Sequence, residues 1–425
     1  MKYSIPRGTY DILPSQSYKW QHLIRRFQDH AAAYGYSEIS TPIFESSGLF
    51  ERSSGESSDV VQKEMYRFTD RKGREFALRP EGTAPVVRSF VENAWDASGV
   101  KTKLYYIGPM FRYDRPQAGR YRQFWQYGIE FFGSQHPFYD AEVIALLWTY
   151  LSGLGLKKIQ LRINSVGCPN CVSGYETALR EYFQPYLEKL CSDCQKRYEL
   201  KPKRLLDCKV PSCQAIAKQA PSQLDHLDGD CRQHFDSVQK QLDLAGVPYI
   251  IDPRIVRGLD YYSHTAFEVI FEGLGAQNSL AGGGRYNYLV EQVGGKSVPA
   301  IGFAGGFERL ILALEEEGLQ ISLEPRPDVY ALAMGEAAAI ALLPVIYGLR
   351  NLGVKVDHDP EKGSFKAQMK AANHSGARFA LIIGEDELAA NSIILKDMES
   401  GNQHSLPLND IKSLARQITL QEQSS

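Results

Sequence analysis

Apolar positions change period several times along this chain, and each change marks an element. Trp20, Leu23, Ile24, Phe27, Ala31 and Tyr34 return every three or four residues, which predicts an amphipathic helix over 18–34 stopped by Gly35. A short strand follows over 36–40, closed by Thr41-Pro42. Residues 64–90 read as strand, turn at Lys72-Gly73, strand, then a helix beginning near Gly82. Two further strands, over 103–113 and 121–132, are joined by a polar loop rich in arginine, Gln117 to Arg122. The opening part, 1–165, is therefore expected to be mostly antiparallel sheet with flanking helices.

Over 166–247 cysteines, lysines and helical spacing replace aromatic strands, which predicts a helical insertion. Strands resume at Tyr249, so 248–318 is read as the second part of the same domain. There Phe267-Glu268-Val269-Ile270-Phe271 alternates as a strand, and Ile301 to Leu310 passes from strand to helix through glycines. A linker is expected at 319–327, with Pro325-Arg326-Pro327 inside it. Beyond it, strands and helices alternate at 328–334, 336–352, 353–358, 364–375, 378–383, 392–397 and 408–418. That pattern predicts a small α/β domain over 328–425 with a mostly parallel sheet. The fold class is α+β overall.

Composition narrows the picture little. A chain of 425 residues, 43% hydrophobic and 23% charged, suits a globular protein of two or three domains. No apolar run reaches membrane-spanning length and the first residues lack a signal core, so the expected compartment is the cytoplasm. A net charge of −2 gives no argument for a nucleic-acid partner, although a local basic patch is enough for one. Seven cysteines, an odd number, fit free thiols or a metal better than disulfides.

The candidate chemistry centres on two arginines. Arg112 lies in Tyr105-Tyr106-Ile107-Gly108-Pro109-Met110-Phe111-Arg112-Tyr113-Asp114-Arg115-Pro116, and Arg257 opens Arg257-Gly258-Leu259-Asp260-Tyr261-Tyr262. Each has a carboxylate nearby, Asp114 or Asp260, so a structural salt bridge is one reading. The other is a pair of fixed guanidinium groups forking onto one anionic ligand. In Leu78-Arg79-Pro80-Glu81-Gly82-Thr83, Glu81 and Thr83 either cap a helix or face a ligand. Gln126 and Glu130 are four apart on a presumed strand, hence on one face, where an amide and a carboxylate would suit an ammonium and an imidazole. The runs Gly282-Gly283-Gly284 and Gly294-Gly295-Lys296 lack phosphate-loop spacing and read as turns, unless packing beneath a ligand demands them. Cys168-Pro169-Asn170-Cys171 and Cys191-Ser192-Asp193-Cys194 form two CxxC pairs nineteen residues apart. They fit one four-thiolate zinc site or simply reduced thiols, with Cys208, Cys213 and Cys231 as contributors or bystanders.

Together these runs resemble histidyl-tRNA synthetases, a family of class II aminoacyl-tRNA synthetases, from about Ile5 to about Gln417. Ile5-Pro6-Arg7-Gly8-Thr9 with Asp11-Ile12-Leu13-Pro14 is similar to that family's N-terminal signature. The 18–34 helix with the strand ending at Pro42 resembles motif 1, Phe111-Arg112 through Glu130 motif 2, and Gly302 through Arg309 motif 3. Leu259-Asp260-Tyr261-Tyr262 and Gly282-Gly283-Gly284-Arg285-Tyr286 resemble the two runs specific to the histidine enzyme. The resemblance implies a six-stranded antiparallel catalytic sheet, a helical insertion and a C-terminal anticodon-binding domain. It implies activation of L-histidine with ATP and Mg²⁺, transfer to tRNA-His, and a homodimer. Arg112 and Arg257 would meet the ATP α-phosphate, while Phe124 and Arg309 sandwich adenine. Glu81, Gly82, Thr83, Gln126, Glu130, Arg257, Tyr261 and Tyr262 would bind histidine; Arg115 and Gln117 would approach the tRNA acceptor end. Trp125, Asn287 and Asp114 depart from the family's usual histidine, aspartate and glutamate, and Trp125 is expected to retune nucleotide or acceptor contacts. The alternative within this fold is a non-catalytic paralogue that senses histidine as a regulatory subunit of ATP phosphoribosyltransferase.

Overall fold

The computed structural model describes residues 3–55, 58, 60–117, 119–206, 208, 210–255, 261–322 and 324–422. Among these no helix is long and apolar enough to cross a membrane. The chain divides into two compact units, Met1–Ser322 and Leu323–Ser425.

The larger unit opens with helix α1, Pro14–Ala33, which buries Trp20, Leu23, Phe27 and Ala31 along one stripe. It begins earlier than its apolar period suggests, because Pro14 presets the first turn while that turn stays solvent-facing. Gly35, at φ 80°, turns the chain into β1, Ser37–Glu38. A small antiparallel sheet comes next, from β2 (Phe44–Ser46), β3 (Arg67–Thr69) and β4 (Glu75–Leu78), with α2 (Ser47–Ser54) between the first two strands and α3 (Thr83–Glu92) after the third. Strands β5 (Thr102–Phe111) and β6 (Gln123–Phe132), then α4 (Pro137–Gly153) and β7 (Ile159–Ser165), complete the first part. Helices α5 (Pro169–Phe183), α6 (Ser192–Leu200), α7 (Pro211–Ala217) and α8 (Gly229–Leu244) follow, with no strand between them among the described residues. The sheet is resumed by β8 (Ile250–Ile251), β9 (Ser263–Phe271), β10 (Ser279–Arg285) and β11 (Ala300–Gly306), with α9 (Leu289–Gln292) before β11 and α10 (Phe307–Glu316) after it.

These strands build one sheet in the order β1-β5-β6-β11-β10-β9-β7-β8. Its six inner strands are antiparallel, and a two-residue parallel strand is added at each edge, β1 on β5 and β8 on β7. Beneath it α1, α4, α8 and α10 pack on Tyr127, Ile129, Phe131, Ile163, Phe267 and Phe303. The helical stretch is not packed as one body. Tyr175, Leu179, Phe183, Leu190, Leu205 and Ala217 form a small core of their own, whereas Phe235, Val238 and Leu242 of α8 join the main core.

The smaller unit contains β12 (Val329–Ala333), α11 (Glu336–Asn351), β13 (Val356–His358), α12 (Phe365–Ser375), β14 (Phe379–Ile383), α13 (Glu385–Ala389), β15 (Ser392–Asp397), β16 (Gln403–Pro407) and α14 (Ile411–Glu422). Its sheet order is β13-β12-β14-β15-β16. The expectation of a mostly parallel sheet is corrected: two pairings are parallel and two antiparallel. Residues 384–391 are too few for a crossover, so β15 must fold back on β14. The edge strand β16 went unread because it is largely exposed and carries no alternation.

Candidate active site

The open face of the larger sheet carries a cavity of ≈ 270 Å³, and strand parity decides what lines it. On β6, Phe124 and Gln126 point into it and Glu130 lies beneath, while Trp125, Tyr127, Ile129 and Phe131 point to the helical core. The ring of Trp125 meets Trp20 of α1 edge-on at 6.2 Å between centroids. The expectation that Trp125 retunes ligand contacts is therefore corrected: its side chain is on the other face of the sheet.

Among the described residues, three guanidinium groups converge at one end. Arg112, Arg120 and Arg309 all line the cavity. Arg112 donates from Nε to the Pro80 carbonyl (2.9 Å), and its guanidinium carbon lies 5.4 Å from the centre of the Phe124 ring. Arg309 donates to the carbonyls of Gly119 and Ser279, each at 3.0 Å. Burial, then the like charges of Arg120 and Arg112, lower the pKa of Arg309, so this corner favours an anion. Asp114 was read as a partner for Arg112; among the described residues its ion pair is with Arg120 instead. Arg257 and Asp260 lie outside the described residues.

At the other end the cavity is walled by Glu81, Thr83, Tyr261, Tyr262 and Tyr286. Both readings of Glu81 hold together, since its carboxylate lines the cavity and accepts from the N–H groups of Thr83 and Ala84 at 2.9 Å, securing the start of α3. Burial raises its pKa, against those two bonds. Glu130 is fully buried and burial pushes its pKa up to about 8, although the Tyr286 hydroxyl donates to its Oε2. Among the described residues its Oε1 is buried without a hydrogen-bond partner, as is Oε1 of Gln126. A buried acceptor in the cavity wall, with a second just behind it, suits a ligand that brings N–H donors.

The glycine run proves to be strand, not turn. Gly282, Gly283 and Gly284 lie in β10, paired with β9 and β11, and Gly282 forms cavity floor. A side chain at Gly283 would strike the Gly302 carbonyl, and one at Gly302 would strike the Glu130 carboxylate. Gly82 likewise makes room for the Tyr106 ring instead of lining the cavity. Gly294, at φ 106°, does sit in a turn. Arg285 is buried on the Asp140 carboxylate, which His234 also meets at 3.2 Å, and Asn287 supplies an acceptor to it at 3.4 Å. Arg115 and Gln117 stay in the loop between β5 and β6, outside the cavity lining.

Sequence reasoning missed three charged lining residues. Arg120 was read only as part of a basic loop. Glu268 was read only as one position of an alternating strand. Glu308 accepts from Tyr10 Oη (2.6 Å) and from the Trp125 N–H (2.8 Å), and burial pushes its pKa up to about 7. A lone acid opening an apolar helix was the signal available for it.

The cysteine expectation is corrected too. The two CxxC pairs do not share a site: Cys191 and Cys194 cluster with Cys208 and Cys213, whereas Cys168 and Cys171 cluster with Asp228 and Cys231. Linear spacing could not separate these pairings, because the partners come from later helices.

Residues 8–310 match the family model for histidyl-tRNA synthetase, and 331–418 that for an anticodon binding domain. The chain is 48% identical to a histidine–tRNA ligase of Caldanaerobacter subterraneus subsp. tengcongensis over 96% of this chain and 98% of that one. It is 49% identical to the Thermoanaerobacter pseudethanolicus enzyme of the same name over 97% and 99%. Apo S. aureus histidyl-tRNA synthetase superposes with a TM-score of 0.83 at 40% identity, covering 98% of this chain and 99% of that one. A guanidinium-lined cavity on an antiparallel sheet, within a chain matched from end to end, has one family explanation: the chain belongs to the histidyl-tRNA synthetases.

Proposed function

We propose that this chain is a histidine–tRNA ligase, joining L-histidine to ATP as histidyl-adenylate and passing it to the 3′ end of tRNA-His. The observation that carries this reading is one cavity with a cationic corner at Arg112, Arg120 and Arg309, a buried acceptor in its wall at Gln126, and the Glu130 carboxyl directly behind its lining residues Gly302 and Tyr286. The regulatory-paralogue alternative loses its footing, because the curated relatives matched along their full length are ligases.

The histidine carboxylate is already ionised at neutral pH, so no general base is needed. One of its oxygens attacks the α-phosphorus, the bond to the bridging oxygen breaks, and pyrophosphate leaves. Arg112, with Arg257, holds the α-phosphate oxygens, and Phe124 and Arg309 bracket the adenine. Such a preorganised cation is worth about 3 kcal/mol, roughly a hundredfold in rate. Class II chemistry uses Mg²⁺ generally, and Glu268 offers the oxygen donor it takes. Glu81, Thr83 and Gln126 hold the ammonium, with Gly82 leaving room for the Tyr106 ring behind them; Glu130, Tyr261 and Tyr262 read the imidazole. A competitor without ring nitrogens leaves those polar groups unsatisfied, which is where selectivity arises. In the second step a terminal ribose hydroxyl attacks the carbonyl carbon and AMP departs. Arg115 and Gln117 guide the acceptor end, 328–425 reads the anticodon, 166–247 is an insertion, and the enzyme works as a homodimer.

Charging of total tRNA with each amino acid in turn tests the function, and histidine alone should be attached. Arg257→Ala and Arg112→Ala should each lower histidine-dependent ATP–pyrophosphate exchange by roughly a hundredfold with the fold intact. Unaltered exchange would refute the role of the arginine concerned.

A further inference from the structure

Two four-residue clusters between α4 and β9 take no part in the cavity. The four sulfurs of Cys191, Cys194, Cys208 and Cys213 lie within 4.8 Å of one another, and so do those of Cys168, Cys171 and Cys231 with an oxygen of Asp228. We propose that each cluster is a tetrahedral zinc site, so that the helical lobe is held by two structural ions.

The geometry is that of single-ion coordination. Zn–S bonds of about 2.3 Å at tetrahedral angles separate neighbouring sulfurs by ~3.8 Å. Cys168 and Cys171 stand 3.7 Å apart and Cys191 and Cys208 3.8 Å apart, with all seven cysteines free of disulfides. An iron–sulfur cluster distributes its four cysteines over two or more irons, so the four sulfurs cannot all crowd round one point as they do here. Thiolates with at most one carboxylate are a zinc donor set rather than a calcium or magnesium one.

The surroundings treat these sulfurs as acceptors. Backbone N–H groups point at them from Asp228 to Cys171 (3.2 Å), from Cys191 to Cys213 (3.3 Å) and from Val210 to Cys208 (3.4 Å). Such outer contacts fix ligand orientation and stabilise thiolate. Asp228 is oriented as well: Oδ1 accepts from the Cys231 N–H at 2.8 Å at the start of α8, and Oδ2 lies 3.1 Å from Cys168 Sγ.

The two sites serve different ends. Cys194, Cys208 and Cys213 belong to the lobe's own small core, which has few large apolar side chains. A core of that size needs a staple. The second cluster joins the start of α5 to the start of α8, where the chain enters and leaves the lobe. The metal therefore closes the excursion at its base.

Elemental analysis of the full chain, purified without chelator and equilibrated with zinc, should find one zinc per cluster. Cys194→Ser with Cys213→Ser should remove one equivalent, and Cys171→Ser with Cys231→Ser the other. Should a variant fail to fold, cobalt substitution of the wild type reads the ligands directly, through thiolate-to-cobalt charge transfer and the absorption of a tetrahedral ion. Wild-type protein that holds no zinc, or whose cysteines all react in the native state with a disulfide reagent, overturns the proposal. Zinc content unchanged by one double substitution overturns that cluster's site.

Discussion

Glu130 carries the sharpest residue-level expectation. Burial lifts its pKa to about 8 from an ordinary 4.5, so the native state holds its proton more tightly than the unfolded chain does. The stability it contributes is full below the ordinary value and is lost as pH rises through about 8. Glu130→Gln cannot ionise, so the unliganded variant should gain on the wild type in melting temperature as pH is raised from mildly acid to mildly alkaline. A difference independent of pH would show that the carboxyl titrates normally. The same variant should bind histidine roughly 10–100-fold more weakly, since an imidazole N–H draws the carboxyl into its ionised form and an amide offers only a neutral acceptor. That Gln126 and Glu130 share a face was legible from their spacing alone. Burial of Glu130 was not, because it depends on Gly302 of a strand 172 positions later leaving room for the carboxylate.

At the scale of elements, alternation along β6 separates stability from binding. Trp125 packs with Trp20 and lies on the core side, while Phe124 and Gln126 line the cavity. Trp125→Ala should cost about 2–3 kcal/mol of folding stability and leave the ATP KM within about twofold. A large KM change with no loss of stability would reverse the assignment of faces. The long strands and α1 were legible because each has one apolar side against a helical or sheet core. The run Gly282 to Gly284 was not, since a strand of glycines has no side-chain pattern to read. Its identity comes from β9 and β11 on either side.

Across the whole molecule, the two units have separate cores, one around Phe27, Tyr127 and Phe303 and the other around Val329, Leu381 and Ile393. A chain ending at Ser322 should keep histidine-dependent pyrophosphate exchange and lose about tenfold or more in tRNA charging efficiency, because on the proposed function it lacks the module that would read the anticodon. Equal loss in both assays would mean that the larger unit does not stand alone. The alternation of elements in the smaller unit was legible; its strand directions were not, because they follow from loop length as much as from period.

Strand β6 has a last consequence. On the reading above, adenine sits by Phe124 and the imidazole by Glu130, so one straight strand gauges the length of the adenylate, ~20 Å over six residues. Inserting one residue between them would swap the faces, and inserting two would restore the faces but lengthen the gauge by ~7 Å. The loop before β6 is under no such constraint. Length variation among relatives should therefore fall between Tyr113 and Arg122 and spare the strand.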